Sequence, residues 1–193
     1  MGAVLNSVTV NAADSVCIMG LGAVGIFAVL AARTRGASVY AVDPVASKRS
    51  LIANWLPASH VFDPANIQGP DAGFDYIIEC SGSPKVLETS VDILARGGAL
   101  VCVGLPHPDA DFKSKALNFA GKGLRIIGSY MGDCHPSDLV TYLQMWQSGK
   151  LDKLELLIDE VPLTQINESL DALHEGKVVR RLFRAPDKST SKL

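Results

Sequence analysis

No Cys-x-x-Cys pair occurs in the 193-residue sequence, and its four cysteines (Cys17, Cys80, Cys102 and Cys134) lie far apart. That spacing excludes a structural zinc site of paired ligands. It is also too sparse for a secreted disulfide framework. Three of the four sit inside or at the end of apolar runs, as thiols packed in an intracellular core do. No excess charge is present either: 18 basic and 20 acidic residues leave a net −2. Nucleic acid and anionic membrane reward clustered Lys and Arg, so neither is expected as the main partner. Internal repeats and low-complexity tracts are absent, and a 48% hydrophobic composition excludes a disordered scaffold. The uncharged run Val16–Ala32 is 17 residues, just short of a spanning length. Gly20, Gly22 and Gly25 break it into a short strand and a helix, and no basic region precedes it as in a signal peptide. The length suits one generous domain, or a domain with an appendage.

What is present is an alternation of strand-like and helix-like segments. Strands are predicted at Val16–Gly20, Ser38–Asp43, Phe74–Cys80, Ala99–Gly104 and Leu124–Tyr130, with a weaker one at His60–Asp63. Helices are predicted at Ala23–Arg35, Val45–Trp55 and Pro84–Ala95. Strands apolar throughout suit a parallel sheet covered on both faces. Strand and helix in turn imply βαβ units and an α/β, doubly wound fold. After Met131 the pattern changes. Pro136 and Ser137 open a helix that Gly149 closes, with Leu139, Leu143 and Trp146 on one face. A strand near Leu156–Val161, a helix near Thr164–His174 and a strand at Val178–Phe183 follow, and Asp187–Leu193 is polar.

Gly20-Leu21-Gly22-Ala23-Val24-Gly25 fits G-x-G-x-x-G between the first strand and the first helix. In that setting Gly20 permits the tight turn, Gly22 lets backbone approach a pyrophosphate, and Gly25 lets helix pack closely on strand. The helix N-terminus would face the phosphates. Asp43 ends the second strand, 18 residues beyond Gly25. A carboxylate there accepts from a ribose diol and repels a 2′-phosphate, which favours NAD over NADP. The alternative is that Asp43 only ends a strand and caps the next helix. Lys48 and Arg49 nearby keep NADP as the lesser option.

With these motifs in place, the chain resembles the zinc-type medium-chain alcohol dehydrogenases over Gly2 to about Ala185. GAVLNSV, MGLGAVG, FDYIIECSG, ARGGALVCVGLP, LRIIGSYMGD and the tail LDKLELLIDEVPLTQINESLDALHEGKVVRRLF follow that family's ordered signatures, with details nearest the aryl- and benzyl-alcohol branch. The resemblance implies a Rossmann sheet with helices on both faces over 2–130, and a C-terminal α/β segment over 131–186 that packs on a separate catalytic domain. Residues 187–193 form a tail beyond the pattern. By the same resemblance, Gly20, Leu21, Gly22, Ala23 and Val24 surround the pyrophosphate, while Asp43 and Lys48 hold the adenosine ribose. Cys80 and Ser81 stand beside the cofactor. Val103, Gly104 and Leu105 lie along the nicotinamide with Ser129, Tyr130 and Met131, and Arg180 approaches the phosphates. Val103 and Leu105 could equally be sheet-end packing, and Arg180, beside Arg181, a solvated charge.

The family's zinc ligands, proton relay and most of its substrate pocket belong to a domain preceding this region, so no catalytic or metal-binding residue is assigned here. None of His60, His107, His135 and His174 has helical ligand spacing to a Cys or another His. The expected activity is hydride transfer between NAD(H) and an alcohol–aldehyde pair, with little turnover by this chain alone. The alternatives are an NAD(H)-binding module and a truncated relic. The edge strand 124–130 is a candidate for self-pairing, as in family dimers. Ser191-Lys192-Leu193 matches a peroxisomal address read by an import receptor. Such a tripeptide arises by chance in on the order of one chain in several thousand.

Overall fold

The computed structural model describes residues 1–185. The central strand β1 (Ser15–Met19) is buried along its whole length. Its alternate residues feed two cores. Val16 and Ile18 join Ile26, Val29 and Leu30 of α2 (Ala23–Thr34) on one face. Cys17 and Met19 meet Leu87 and Val91 of α4 (Pro84–Asp92) on the other. A strand apolar on both faces is stable only between two helical layers, and this one has both.

Around β1 the sheet adds β2 (Ser38–Val42), β3 (Val61–Phe62), β4 (Phe74–Glu79), β5 (Leu94–Cys102) and β6 (Arg125–Gly128). The order is β3-β2-β1-β4-β5-β6, and every pairing is parallel. This is the doubly wound Rossmann arrangement, with the chain reversing its direction of spread between β1 and β4. All six carboxyl ends therefore share one edge.

The first helix, α1 (Gly2–Leu5), and α5 (Ala116–Lys122) were not anticipated by periodicity. Two predicted helices end sooner than expected. The segment beginning at Val45 is helical as α3 only over Ala46–Ile52, because Trp55 turns into the core and its indole N–H donates to the carbonyl of Asp152 at 3.0 Å. The helix expected to reach Ala95 stops at Asp92. Leu94 instead pairs with Phe74, and a bulge through Gly97, whose φ is +76°, carries β5 on to its main register at Ala99.

Beyond the main sheet, α6 (Asp138–Gln147) is closed by Gly149 at φ +75°. A second unit, β7 (Ile158–Pro162), α7 (Ile166–His174) and β8 (Arg180–Arg184), forms a parallel two-stranded sheet. It packs against α3 closely enough that a Cβ on Gly176 would stand 3.3 Å from Lys48 Nζ. Leu139, Leu143 and Trp146 of α6 are exposed, Leu143 by 55%. No helix among the described residues is long and apolar enough to cross a membrane. The tail with Ser191-Lys192-Leu193 lies outside the described residues.

Candidate functional site

The glycine loop joins the carboxyl end of β1 to α2, and its three glycines have three different surroundings. Gly20 has φ +95°, a conformation that side chains strain to adopt. At Gly25 an added Cβ would fall 1.8 Å from the Gly20 carbonyl oxygen, so helix and turn touch backbone to backbone. At Gly22, the N-cap of α2, an added Cβ would meet nothing within 4 Å. The loop is therefore tightly packed at its two ends and open in the middle. The N–H groups of the first helical turn have no intrahelical partner and lie beside that opening.

Asp43 sits at the end of β2, 4% exposed, and its carboxylate clamps two loops. Oδ2 accepts the N–H of Leu21 at 2.7 Å and Oδ1 accepts that of Val45 at 2.8 Å. The bond to Val45 is a local turn ahead of α3, whose N-cap Val45 has no side-chain cap, so Asp43 does not cap that helix, and the same carboxylate also holds the glycine loop. Arg49 Nη1 donates to the carbonyls of Asp43 at 2.7 Å and Pro44 at 2.8 Å, and it pairs with Asp63 at 3.1 Å. Its guanidinium is committed to the protein's own acceptors. Lys48 lines a groove of about 110 Å³ between α3 and the C-terminal unit, with Asp159, Lys177 and Val179.

The carboxyl ends of β4, β5 and β6 bring up the remaining residues of that edge. Ser81 and Gly82 follow β4, and Glu79, the last residue of β4, is fully buried beneath them. Sequence reasoning passed over Glu79. The signal was there as an acid closing a largely apolar strand. Val103 is half-buried, whereas Leu105 is 88% exposed, so Leu105 does not serve as sheet-end packing. Ser129 is buried and accepts from the Ser7 hydroxyl at 2.7 Å, while Tyr130 beside it is 81% exposed. Met131 and Asp133 have φ of +52° and +49°, strained values for non-glycine residues. Asn6 helps hold that turn, its amide donating to the carbonyls of Gly132 and Asp133. Neither Ser7 nor Asn6 was singled out in the sequence, where both belonged only to a family-like stretch. Arg180 stands apart, exposed at the start of β8. Its neighbour Arg181 pairs with Asp159 at 3.4 Å.

A second groove, of about 320 Å³, lies at the far end of α2 between Leu5, Arg35, Tyr142 and Lys150. Asn6 lines it, but none of the sequence-assigned cofactor residues does.

The thiols are chemically quiet. Burial, reinforced by the Glu79 carboxylate, pushes Cys80 up to about 12, and the same two causes raise Cys102. Burial alone raises Cys17. Burial thus holds all three toward the protonated thiol at neutral pH. Among the described residues no group of three or more His, Cys, Asp or Glu side chains is placed to hold a metal. The described residues do not fit a zinc ion.

An open-centred glycine loop at the switch point of a parallel sheet, tied to an acid on the next strand, is dinucleotide-binding architecture. The sequence pattern of the zinc-binding dehydrogenases matches residues 23–148. This chain belongs to that family. Alcohol dehydrogenase 1 of Trifolium repens is 30% identical over 196 residues, spanning 95% of this chain and 51% of that protein. The crystal structure of benzyl alcohol dehydrogenase from Acinetobacter calcoaceticus superposes with a TM-score of 0.87 at 29% identity. That match covers 95% of this chain and 53% of the other. The family member described here spans about half the length of the curated relatives it matches. Two more distant structures share the fold. Acetophenone reductase from Geotrichum candidum, in complex with NAD, has a TM-score of 0.75 at 22% identity, covering 94% of this chain and 51% of that one. A Sinorhizobium meliloti protein bound to NADP has a TM-score of 0.76 at 24% identity, covering 88% and 51%.

Proposed function

We propose that this chain binds NAD(H) along the carboxyl edge of its six-stranded sheet and serves hydride transfer between that cofactor and an alcohol–aldehyde pair. The observation that carries the reading is the empty space over Gly22 between two tightly packed glycines. That space admits a pyrophosphate to the helix N-terminus, and no packing role accounts for it. When bound, nicotinamide would supply the hydride acceptor for an alcohol carbon and the hydride donor for an aldehyde, with the hydroxyl proton lost or regained in balance. The chain's own residues bind and orient. Gly20–Val24 take the phosphates, and Asp43 and Lys48 the adenosine ribose. Ser81, Val103–Leu105 and Ser129–Met131 form the nicotinamide side.

We take NAD(H) over NADP(H) because a carboxylate closing the second strand, here Asp43, would repel a 2′-phosphate. The nearest guanidinium, Arg49, is also tied to Asp63 and two carbonyls.

Titration of the folded chain with NADH and NADPH, followed by tryptophan fluorescence and calorimetry, tests the proposal. Saturable micromolar binding with NADH the tighter ligand is expected. No binding of either at millimolar concentration would end it. Two further proposals rest on less. Self-association through β6, whose outer edge is unpaired and whose Ile126 is exposed, predicts a dimer in sedimentation. Peroxisomal import through Ser191-Lys192-Leu193 predicts that Leu193→Arg leaves the protein in the cytosol.

A further inference from the structure

The least explained group at the site is Glu79. It is fully buried, flanked in sequence and space by Cys80 and Cys102, and only half of its carboxylate is used. Oε1 accepts the N–H of Ser81 at 2.6 Å, the Ser81 hydroxyl, and the N–H of Gly82 at 2.9 Å. Oε2 is sealed from water and has no hydrogen-bond partner. Burying a carboxylate among thiols is costly, and leaving one oxygen unpartnered adds to that cost. An apolar side chain of similar shape could fill the space. What Glu79 supplies is one oxygen placed to gather three donors of a single turn.

That turn is in backbone contact with the next one. Gly82 has φ +71°, and a Cβ there would come within 2.6 Å of the Leu105 carbonyl oxygen. A Cβ on Gly104 would come within 2.1 Å of Gly82 N and 2.9 Å of Glu79 Oε2. The main-chain carbonyl of Glu79 also accepts the N–H groups of Val103 and Gly104, both at 2.9 Å. A single residue therefore holds the Ser81–Gly82 turn with its side chain and the Val103–Gly104 turn with its main chain. The two turns press together without side chains between them.

We infer that Glu79 is a positioning residue for the nicotinamide half of the cofactor: it fixes the Ser81–Gly82 turn and, through the Gly82–Gly104 contact, the height of the Val103–Leu105 backbone. The inference rests on the dinucleotide reading above. The adenosine half is held elsewhere, at Asp43 on the end of β2, and does not depend on this clamp.

The test compares NADH with ADP-ribose, which lacks nicotinamide, by calorimetry on the full chain and on Glu79→Ala, Glu79→Asp and Glu79→Gln. In the Ala and Asp variants NADH affinity is expected to fall about tenfold, while ADP-ribose affinity stays within about twofold. Gln retains an oxygen for the three donors and is expected to keep NADH within about threefold of the parent. If Ala does not fold, Asp carries the same comparison, since it keeps the charge but withdraws the acceptor by one methylene. Equal loss of both ligands, or loss of neither, would overturn the inference and reduce Glu79 to a structural residue. A parent chain that holds ADP-ribose as tightly as NADH would also overturn it while leaving dinucleotide binding intact. A parent that binds neither ligand would overturn the dinucleotide reading, and this inference with it.

Discussion

The same substitution made at two glycines three residues apart should have opposite consequences. Gly22→Ala puts a methyl into space with no atom within 4 Å, at φ −74° and ψ −175°, a conformation any residue adopts. Its effect on stability is confined to helix capping and stays under about 1 kcal/mol. Gly25→Ala puts a methyl 1.8 Å from the Gly20 carbonyl oxygen, so the helix and the turn must separate by more than 1 Å. Overpacking of that kind costs about 1–3 kcal/mol. In a chain of this size each kcal/mol lowers Tm by about 2–4 °C, so Gly25→Ala should melt on the order of 3–10 °C below the parent. NADH binding should fall about tenfold or more in Gly22→Ala, because the methyl takes the place of the pyrophosphate. Thermal melts and NADH titrations of the two variants decide the matter. A Gly22→Ala variant that binds NADH like the parent would refute the phosphate site. A Gly25→Ala variant that melts like the parent would refute the close packing.

Three other perturbations probe different parts of the molecule. Asp43→Asn leaves one of two buried N–H donors without an acceptor; a loss of about 1–3 kcal/mol in urea unfolding and an NADH-over-NADPH preference reduced at least about fivefold are expected. Cys17 is fully buried and its thiol pKa is raised, so above its ordinary value of 9.0 the unfolded chain loses a proton that the folded chain keeps. Stability therefore falls as pH rises, by about 1.4 kcal/mol for this thiol at pH 10, and Cys17→Ala should remove that share of the difference between unfolding at pH 7 and pH 10. Leu143→Glu on the exposed face of α6 should change stability by no more than about 0.5 kcal/mol in the monomer, against about 2–5 kcal/mol for Leu30→Ala in the core; a large loss at Leu143 would show that the face is covered in solution.

The sheet was legible because its strands announce themselves. Residues 16–19 and 74–79 are apolar enough to need cover on both sides, and the glycines between strand and helix stand at a spacing with a known geometric purpose. Less legible were elements whose conformation is settled by distant partners. Leu94 and Ala95 continue a helical composition, but the edge of β4 recruits them into a strand. Trp55 leaves α3 for a carbonyl 97 residues away. At the site, the turn at Gly20 and the close packing at Gly25 could be read one at a time, because each belongs to a local loop; the clamp from Asp43 to Leu21, 22 residues away, could not. Glu79 could not, since its importance lies in two turns meeting over it. Asn6 and Ser7 act on a turn more than 120 residues distant, a relation no local pattern encodes.

The strand order also bears on how the chain folds as it emerges from the ribosome. Of the six strands β1 is synthesised first; β2 has its place on one side of it and β3 beyond β2, then β4 belongs on the other side of β1, with β5 and β6 outward of it. Each new strand lands on an edge that already exists, and none has to be threaded between two neighbours. Assembly from the N-terminus can thus proceed without dismantling earlier pairings, in step with synthesis. The corresponding hazard is an edge left waiting. After β2 the far side of β1 stays open for the 31 residues from Asp43 to Gly73 until β4 arrives, and an apolar strand open on one side is where chains pair wrongly with one another.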